Sequence, residues 1–312
     1  MVRGIDLQDA DAVEAVFLRG AEANRTASCR VGSIDVISYP GTLVATGDLH
    51  DNPLHLQRLM DLAGFEGHAR PDHVPGDEIT KWAEPVHLVL HEVIHSDRLI
   101  NGLDMSYRAL ARVAALKADH PEHVHTMLAN HELAQIVGAG IIKNGIRVVE
   151  AFNDAVEYVF GDEAERVNEA IGVFVRSMAL ALRCSTPKGD ILCAHSLPGI
   201  GMMQRFDPAV IERELTEDDY APRRGSAHLM VWGRGYDAEQ LEDLVERWGV
   251  DMFILGHEHV AGGIEVREPN AIVINSDHDE GVYLPIDLSA PARPHEAARN
   301  VRPLRSDDVA SF

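Results

Sequence analysis

Thr42-Leu43-Val44-Ala45-Thr46-Gly47-Asp48-Leu49-His50 sets an apolar, β-rich run against a glycine, an acid and a histidine. The pattern predicts a strand over 42–46. Its C-terminal end delivers Asp48 and His50 to one side, an oxygen and a nitrogen donor for a single ion. Just beyond, Asp51 or Asn52 can cap a helix that has Pro53 in its first turn. Leu56, Leu59, Met60 and Ala63 form the apolar stripe of that helix, and Gly64 closes it. Strand, ligand loop and helix in succession are the unit of an α/β sheet whose sites lie at the carboxyl ends of its strands.

Four later pieces repeat the arrangement. Apolar residues 86–90 precede His91-Glu92-Val93-Ile94-His95, and residues 124–128 lead into Ala129-Asn130-His131-Glu132. Residues 190–194 end at His195, and 251–255 end at Gly256-His257-Glu258-His259. His257 and His259 alternate, as Asp48 and His50 do. Imidazoles and hard oxygens returning at strand ends across two hundred residues point to one metal centre built along the edge of a sheet.

The rest of the chain is arranged around these pieces. Helices are predicted at 10–24 and over roughly 103–117. Residues 135–183 read as a largely helical insertion over the site, without strand signals. Asp237 caps a further helix, with Gln240 placed to complete a capping box, and 263–266 with 271–275 suggest a closing hairpin. From Ser289 onward the chain is rich in Pro, Arg and Ala and reads as a loosely held arm. The expected plan is one domain over 1–288 and a tail over 289–312.

Composition narrows the function. The 312 residues are 46% apolar, enough for a large core, and 50 acidic against 28 basic side chains give a net charge of −22. Such a surface repels polyanions, which argues against nucleic-acid partners. A phosphate-handling protein this acidic needs a local positive centre, and bound divalent cations supply one. Cys29, Cys184 and Cys193 form no CxxC pair, as expected in a reducing compartment. Acids at Asp6, Asp9, Asp11 and Glu14 replace the basic start of a signal peptide, and no apolar run approaches the roughly 18 residues of a membrane span. A soluble, cytoplasmic protein without a membrane partner is expected.

Taken together, the motifs resemble those of the calcineurin-like metallophosphoesterases, in particular the branch of the phosphoprotein phosphatases and symmetrical dinucleoside-tetraphosphatases. The family pattern GDxH, GDxxDRG, GNHE, H and GHxH meets Gly47–His50, His91–Ser96, Ala129–Glu132, His195 and Gly256–His259. His195-Ser196-Leu197-Pro198 and Val231-Trp232-Gly233-Arg234 resemble two weaker family stretches. The resemblance implies a four-layer αββα sandwich of two mixed sheets with a helical insertion. It also implies two divalent ions (Mn, Fe or Zn) about 3.5–4 Å apart, with a hydroxide between them attacking phosphorus in line. Asp48, His50 and His259 would hold the first ion, Asn130, His195 and His257 the second, and a carboxylate would bridge them. His131, held by Asp97 or Asp104, would protonate the leaving alkoxide, while Glu132 supports the Asn-His turn. The implied substrate is a phosphoprotein or a small phosphoester. Serine/threonine phosphoprotein is the first expectation and a dinucleoside polyphosphate the second.

One motif departs from the pattern. The family's bridging Asp falls at Glu92, and its DRG is written His95-Ser96-Asp97, leaving Arg98 to replace the lost arginine as a phosphate clamp. Arg205 and Arg234 are further candidate substrate contacts. His91-Glu92-Val93-Ile94-His95 also spells the HExxH of zinc proteases, which requires a helix with both histidines on one face. A phosphate-binding protein with a degraded site is the remaining alternative. His120, His123 and His125 read as surface residues, and 277–280 as a turn.

Overall fold

In the computed structural model of the chain, residues 5–65 and 82–305 are described. Helix α1 (Ala10–Thr26), capped by Asp9, precedes strands β1 (Arg30–Val31), β2 (Ile34–Ser38) and β3 (Thr42–Thr46). Helix α2 (Pro53–Ala63) is capped by the Asn52 side chain, which accepts the His55 N–H, and it closes at Gly64 in the left-handed conformation. There follow β4 (Val86–His91), α3 (Tyr107–Asp119), β5 (Val124–Met127), α4 (Asn130–Val137), and the short strands β6 (Ile142–Lys143) and β7 (Ile146–Arg147). Helices α5 (Val148–Phe160) and α6 (Ala164–Ser177) lead to β8 (Ala181–Ser185) and β9 (Ile191–Ala194). The described residues close with α7 (Ser226–Val231), α8 (Ala238–Trp248), β10 (Met252–Leu255), β11 (Ile264–Arg267), β12 (Ala271–Ile274), β13 (Val282–Asp287), α9 (Pro294–Ala298) and β14 (Arg302–Pro303).

Among the described residues two mixed sheets carry all of these strands but β6 and β7, which pair with each other; one sheet has seven in the order β1-β2-β8-β9-β10-β12-β11 and the other five in the order β14-β13-β3-β4-β5. The central strands alternate between two cores. Leu43, Ala45, Val89, Leu284 and Ile286 of the smaller sheet meet Leu182, Ile191, Cys193, Met252, Ile254, Ile272 and Ile274 of the larger in an inter-sheet core. The intervening Val44, Leu88, Leu90, Leu192, Phe253 and Val273 face the outer helices. Both faces are therefore buried, which is why these strands read as continuous apolar runs. Each fully buried aliphatic side chain stabilises the fold by about 1.5–3 kcal/mol. Helices α2 and α3 pack on β4 and β5, and Trp248 of α8 meets Phe253 of β10 edge-on, with the ring centroids 6.1 Å apart. The result is the expected αββα order of layers.

Strands β3, β4 and β5 run parallel, as do β9, β10 and β12, so the loops after β3, β4, β5, β9 and β10 open on one edge. A parallel bridge between Asp48 and Asn275 ties the two sheets together there.

Several expectations need correction. The 135–183 segment contains α5 and α6, but also the β6–β7 hairpin and most of β8, which pairs with both β2 and β9. Ala181-Leu182-Arg183-Cys184-Ser185 has no β-branched residue to signal a strand. Strands β1, β2 and β13 also lay outside the expected elements, and the segment after Ser289 contributes α9 and the edge strand β14 before the described residues end at 305. Asp237 caps α8 as expected, but Gln240 turns its side chain to the Pro198 carbonyl and leaves the box open.

Candidate metal centre

The loops after β3 and β4 are stitched backbone to backbone. Leu49 and His50 donate their N–H groups to the Glu92 carbonyl at 3.1 and 2.7 Å, and Asp51 donates to Val93 at 2.7 Å. This register needs left-handed backbone at His50 (φ 42), Asp51 (φ 55), Glu92 (φ 49) and His95 (φ 61), with His257 (φ 70) facing them from the loop after β10. Such residues are costly outside glycine and gather where the surrounding structure imposes them, commonly at functional sites. Glu132 accepts the Val93 and Ile94 N–H groups at 2.7 and 3.2 Å and so holds the second loop. Gly256 supplies room, since a Cβ there would sit 2.5 Å from His91 Cε1 and 2.6 Å from Asp48 Oδ1.

The donors then converge. Asn130 Oδ1 lies 2.7 Å from His195 Nε2 and 3.0 Å from His257 Nδ1. Glu92 faces both sides of the pocket. Its Oε2 is 3.1 Å from His195 Nε2, while its Oε1 is 3.3 Å from His50 Nε2 and 3.7 Å from His131 Nε2. Asp48 Oδ1 accepts the His257 N–H at 2.8 Å and stands 3.6 Å from His195 Nδ1. His50 Nδ1 is 3.1 Å from the Ile94 carbonyl, which can only accept, so Nε2 is the nitrogen left with a lone pair facing Glu92.

The electrostatics match a cation. Asp48, Glu92 and Glu132 are all buried. Burial, with the charge of Asp277 added, lifts the Asp48 carboxyl to about 6; burial lifts Glu132 to about 7. Glu92 is held well above the ordinary carboxylate range by burial and by the charges of Asp48 and Glu132. Burial equally keeps the imidazoles neutral, with His257 down to about 3 and His50 and His195 well below their usual value. Glu92 Oε2 makes no hydrogen bond. Neutral nitrogen donors around carboxylates that have no Lys or Arg ion pair among the described residues fit a divalent cation, whose charge would offset the cost of burying them. Two groups of side chains could each hold an ion, one of Asp48, His91 and His195 and one of His50, Glu92 and His131.

The structure brings together Asp48, His50, Glu92, Asn130, His131, His195 and His257, and separates the remaining expected residues. His259 is exposed, with its ring 4.6 Å from that of His278. The left-handed turn at His257 breaks the alternation that would have aligned His257 and His259. Asp97 is exposed and accepts from Asn144 at 3.3 Å; the partner of His131 is His95, with the two Nδ1 atoms 3.0 Å apart. Asp104 accepts the Ser106 N–H instead. Arg98 donates to the His50 carbonyl at 2.7 Å and pairs with Asp277, so its guanidinium braces the loop. Arg234 donates to His257 Nε2 at 3.0 Å. Arg205 lines a cavity of about 450 Å³ with Arg223, His228, Trp232 and Arg234.

The HExxH reading fails on geometry, because His91 ends β4 and Glu92 and His95 are left-handed, so the segment is not a helix. His125 is not a surface residue either. It is fully buried and bonded to Asp35 at 2.8 Å, with Lys117 3.9 Å from the same carboxylate. Sequence reasoning gave His91 and His95 a role only in the HExxH alternative and none in the phosphoesterase site, and it missed Lys143 of β6, whose charge favours ionised Asp48 and Glu92. The first two were visible as histidines flanking Glu92; nothing near Lys143 marked it.

Comparison with known proteins agrees with the fold and the family. A family model described as calcineurin-like phosphoesterase matches residues 41–261. Among curated proteins none matches the chain by sequence. A protein serine/threonine phosphatase from Saccharomyces cerevisiae superposes with a TM-score of 0.60 at 15% identity, over 89% of this chain and 83% of that one. A cold-active protein-tyrosine phosphatase of a psychrophilic Shewanella species gives 0.54 at 14% identity, over 86% and 82%. At these identities the likeness is one of fold. Among the described residues no helix is long and apolar enough to cross a membrane.

Proposed function

This chain belongs to the calcineurin-like phosphoesterase family, and we propose that it hydrolyses phosphomonoesters of phosphoproteins at a dinuclear divalent-metal centre bridged by Glu92. The observation that carries the reading is the two-sided carboxylate: Oε2 of Glu92 faces His195, and Oε1 faces His50 and His131. Asn130, His195 and His257 would hold one ion, and Asp48 and His50 the other. When bound, such a pair polarises the phosphoryl oxygens and supplies a nucleophile at neutral pH.

The chain's own groups do the rest. His131 points Nε2 into the pocket and would take up the proton shed by the attacking water and pass it to the leaving alkoxide. Arg234, against His257, stands where the centre meets the groove of Arg205, Arg223, His228 and Trp232. Arg205 and Arg223 have no acidic side-chain partner among the described residues, although the chain carries 22 more acids than bases. Free guanidinium groups beside the centre suit an anionic substrate. The neighbours named as serine/threonine and tyrosine protein phosphatases support a phosphoprotein substrate. Dinucleoside polyphosphate hydrolysis is the competing activity on the same arginines.

Aryl phosphate turnover with manganese, measured alongside metal content on wild type, Asp48→Asn and Glu92→Ala, tests the assignment. Both variants should lose metal and rate together. Unchanged metal and rate in both would place the site elsewhere, and phosphopeptides run against diadenosine polyphosphates separate the two substrates.

A further inference from the structure

His91 and His95 flank the bridging carboxylate and are buried to 1% and 0% exposure; the proposed assignment gives neither of them an ion to hold, although His91 stands with Asp48 and His195 in one of the two candidate clusters. Nε2 of His91 lies 2.8 Å from the Thr46 carbonyl oxygen. A carbonyl can only accept, so this nitrogen carries the ring proton and Nδ1 keeps a lone pair. That Nδ1 is 3.1 Å from Nδ1 of His195. The contact needs one proton, and His195 must provide it. The other nitrogen of His195, Nε2, is then unprotonated, and it is the atom that faces Asn130 Oδ1 and Glu92 Oε2.

The same accounting holds on the other side of Glu92. Gln135 donates its amide nitrogen to Asn153 Oδ1 at 2.7 Å, which turns its oxygen toward His95 Nε2 at 3.0 Å. His95 therefore donates from Nε2 and accepts at Nδ1, where His131 Nδ1 lies 3.0 Å away. His131 must be the donor, leaving its Nε2 turned toward Glu92 Oε1. Two parallel relays result, one from His195 through His91 to Thr46 and one from His131 through His95 to Gln135.

We propose that His91 and His95 are positioning residues, each accepting the Nδ1 proton of the next histidine inward and so turning Nε2 of His195 and His131 into the pocket. One five-residue segment thus supplies the bridging carboxylate and both orienting imidazoles. Neutral rings do here what carboxylates or backbone carbonyls commonly do for metal-binding histidines. The proposal rests on the metal-centre reading.

Long-range ¹H–¹⁵N spectra of the full chain, labelled at histidine and loaded with zinc, read the tautomers directly. His91 and His95 should carry the proton on Nε2, and His195 and His131 on Nδ1. The opposite tautomer at any of the four, or a metal-shifted Nδ1 at His91, overturns the relay. Zinc titrations add a functional readout. His91→Ala should weaken binding about 10–100-fold without changing the number of ions per chain, and His91→Asn, which keeps an acceptor in the place of Nδ1, should recover most of the loss. Unchanged affinity in His91→Ala, or the loss of a whole ion, contradicts a positioning role. If either variant fails to fold, the wild-type spectra still decide. A wild type that binds no zinc sinks the metal centre, while its tautomers judge the relay separately.

Discussion

Replacing Asp48 by Asn should make the metal-free protein more stable while removing its activity. The side chain is 4% exposed, and burial with the nearby charge of Asp277 lifts its carboxyl from 3.8 to about 6. A carboxyl raised by folding contributes stability that is complete below 3.8 and lost as the pH climbs through about 6. Near pH 7.5 the loss is about 3 kcal/mol, at about 1.4 kcal/mol per pH unit. Asn keeps an oxygen to accept the His257 N–H, now at 2.8 Å, and has no charge to desolvate. With about 2 °C of melting temperature per kcal/mol in a chain of this size, the variant in EDTA should melt about 4–6 °C above wild type. Near pH 5, where much of the wild-type carboxyl is already protonated, about half of that gap should remain. Manganese reverses the order, because an ion at about a thousand times its Kd adds about 4 kcal/mol to the protein that binds it. Thermal melts in EDTA and in manganese at both pH values, with aryl phosphate turnover, measure all of this. A variant melting at or below wild type in EDTA near pH 7.5, or an equal manganese shift in both proteins, would refute the reasoning.

Asp35→Asn leaves Lys117 buried without its carboxylate, now 3.9 Å away, and should cost about 3–5 kcal/mol in urea unfolding, with Lys117→Met added to it restoring most of the loss. Burial pulls the Asp35 carboxyl upward, but the His125 hydrogen bond and the charges of Arg30 and Lys117 hold it below its ordinary 3.8. Its contribution is therefore present above 3.8 and lost only in stronger acid, so the gap between the two proteins should close only there. Alanine at both Arg205 and Arg223 should raise KM for a phosphopeptide about tenfold with kcat unchanged, as expected for charge-assisted contacts away from the reacting atoms; a fall in kcat alone would contradict the groove's role. A Cβ on Gly47 would stand 2.0 Å from the Ile274 carbonyl oxygen, a backbone atom that cannot swing away. Gly47→Ala should therefore cost about 1–3 kcal/mol or more and loosen metal binding by prising Asp48 from Asn275, which calorimetry and metal analysis would detect together.

The strands that carry the site were legible because burial on both faces makes them continuous apolar runs, each stopping at a donor residue. What lay beyond the last strand residue was less legible. Alternation of side chains holds only in extended backbone, and the left-handed turns at His50, Glu92, His95 and His257 reset it, which is how His259 was aligned with His257 in sequence but not in space. The partner of His131 was sought among the acids Asp97 and Asp104, while the chain uses the neutral ring of His95. Strand β13 was hidden by Pro285, tolerated because β14 pairs only Val282 and Tyr283 and ends before it. His125 reads as a surface histidine in a polar stretch; only the convergence of β2, β5 and α3 on Asp35 makes it part of the core.

Anomalous diffraction from crystals grown with manganese tests most directly whether Glu92 joins two ions. Two peaks should flank the Glu92 carboxylate about 3.5–4 Å apart, one beside Asn130, His195 and His257 and the other beside Asp48 and His50. A single peak that Glu92 does not touch, or none between these side chains, would contradict the dinuclear centre.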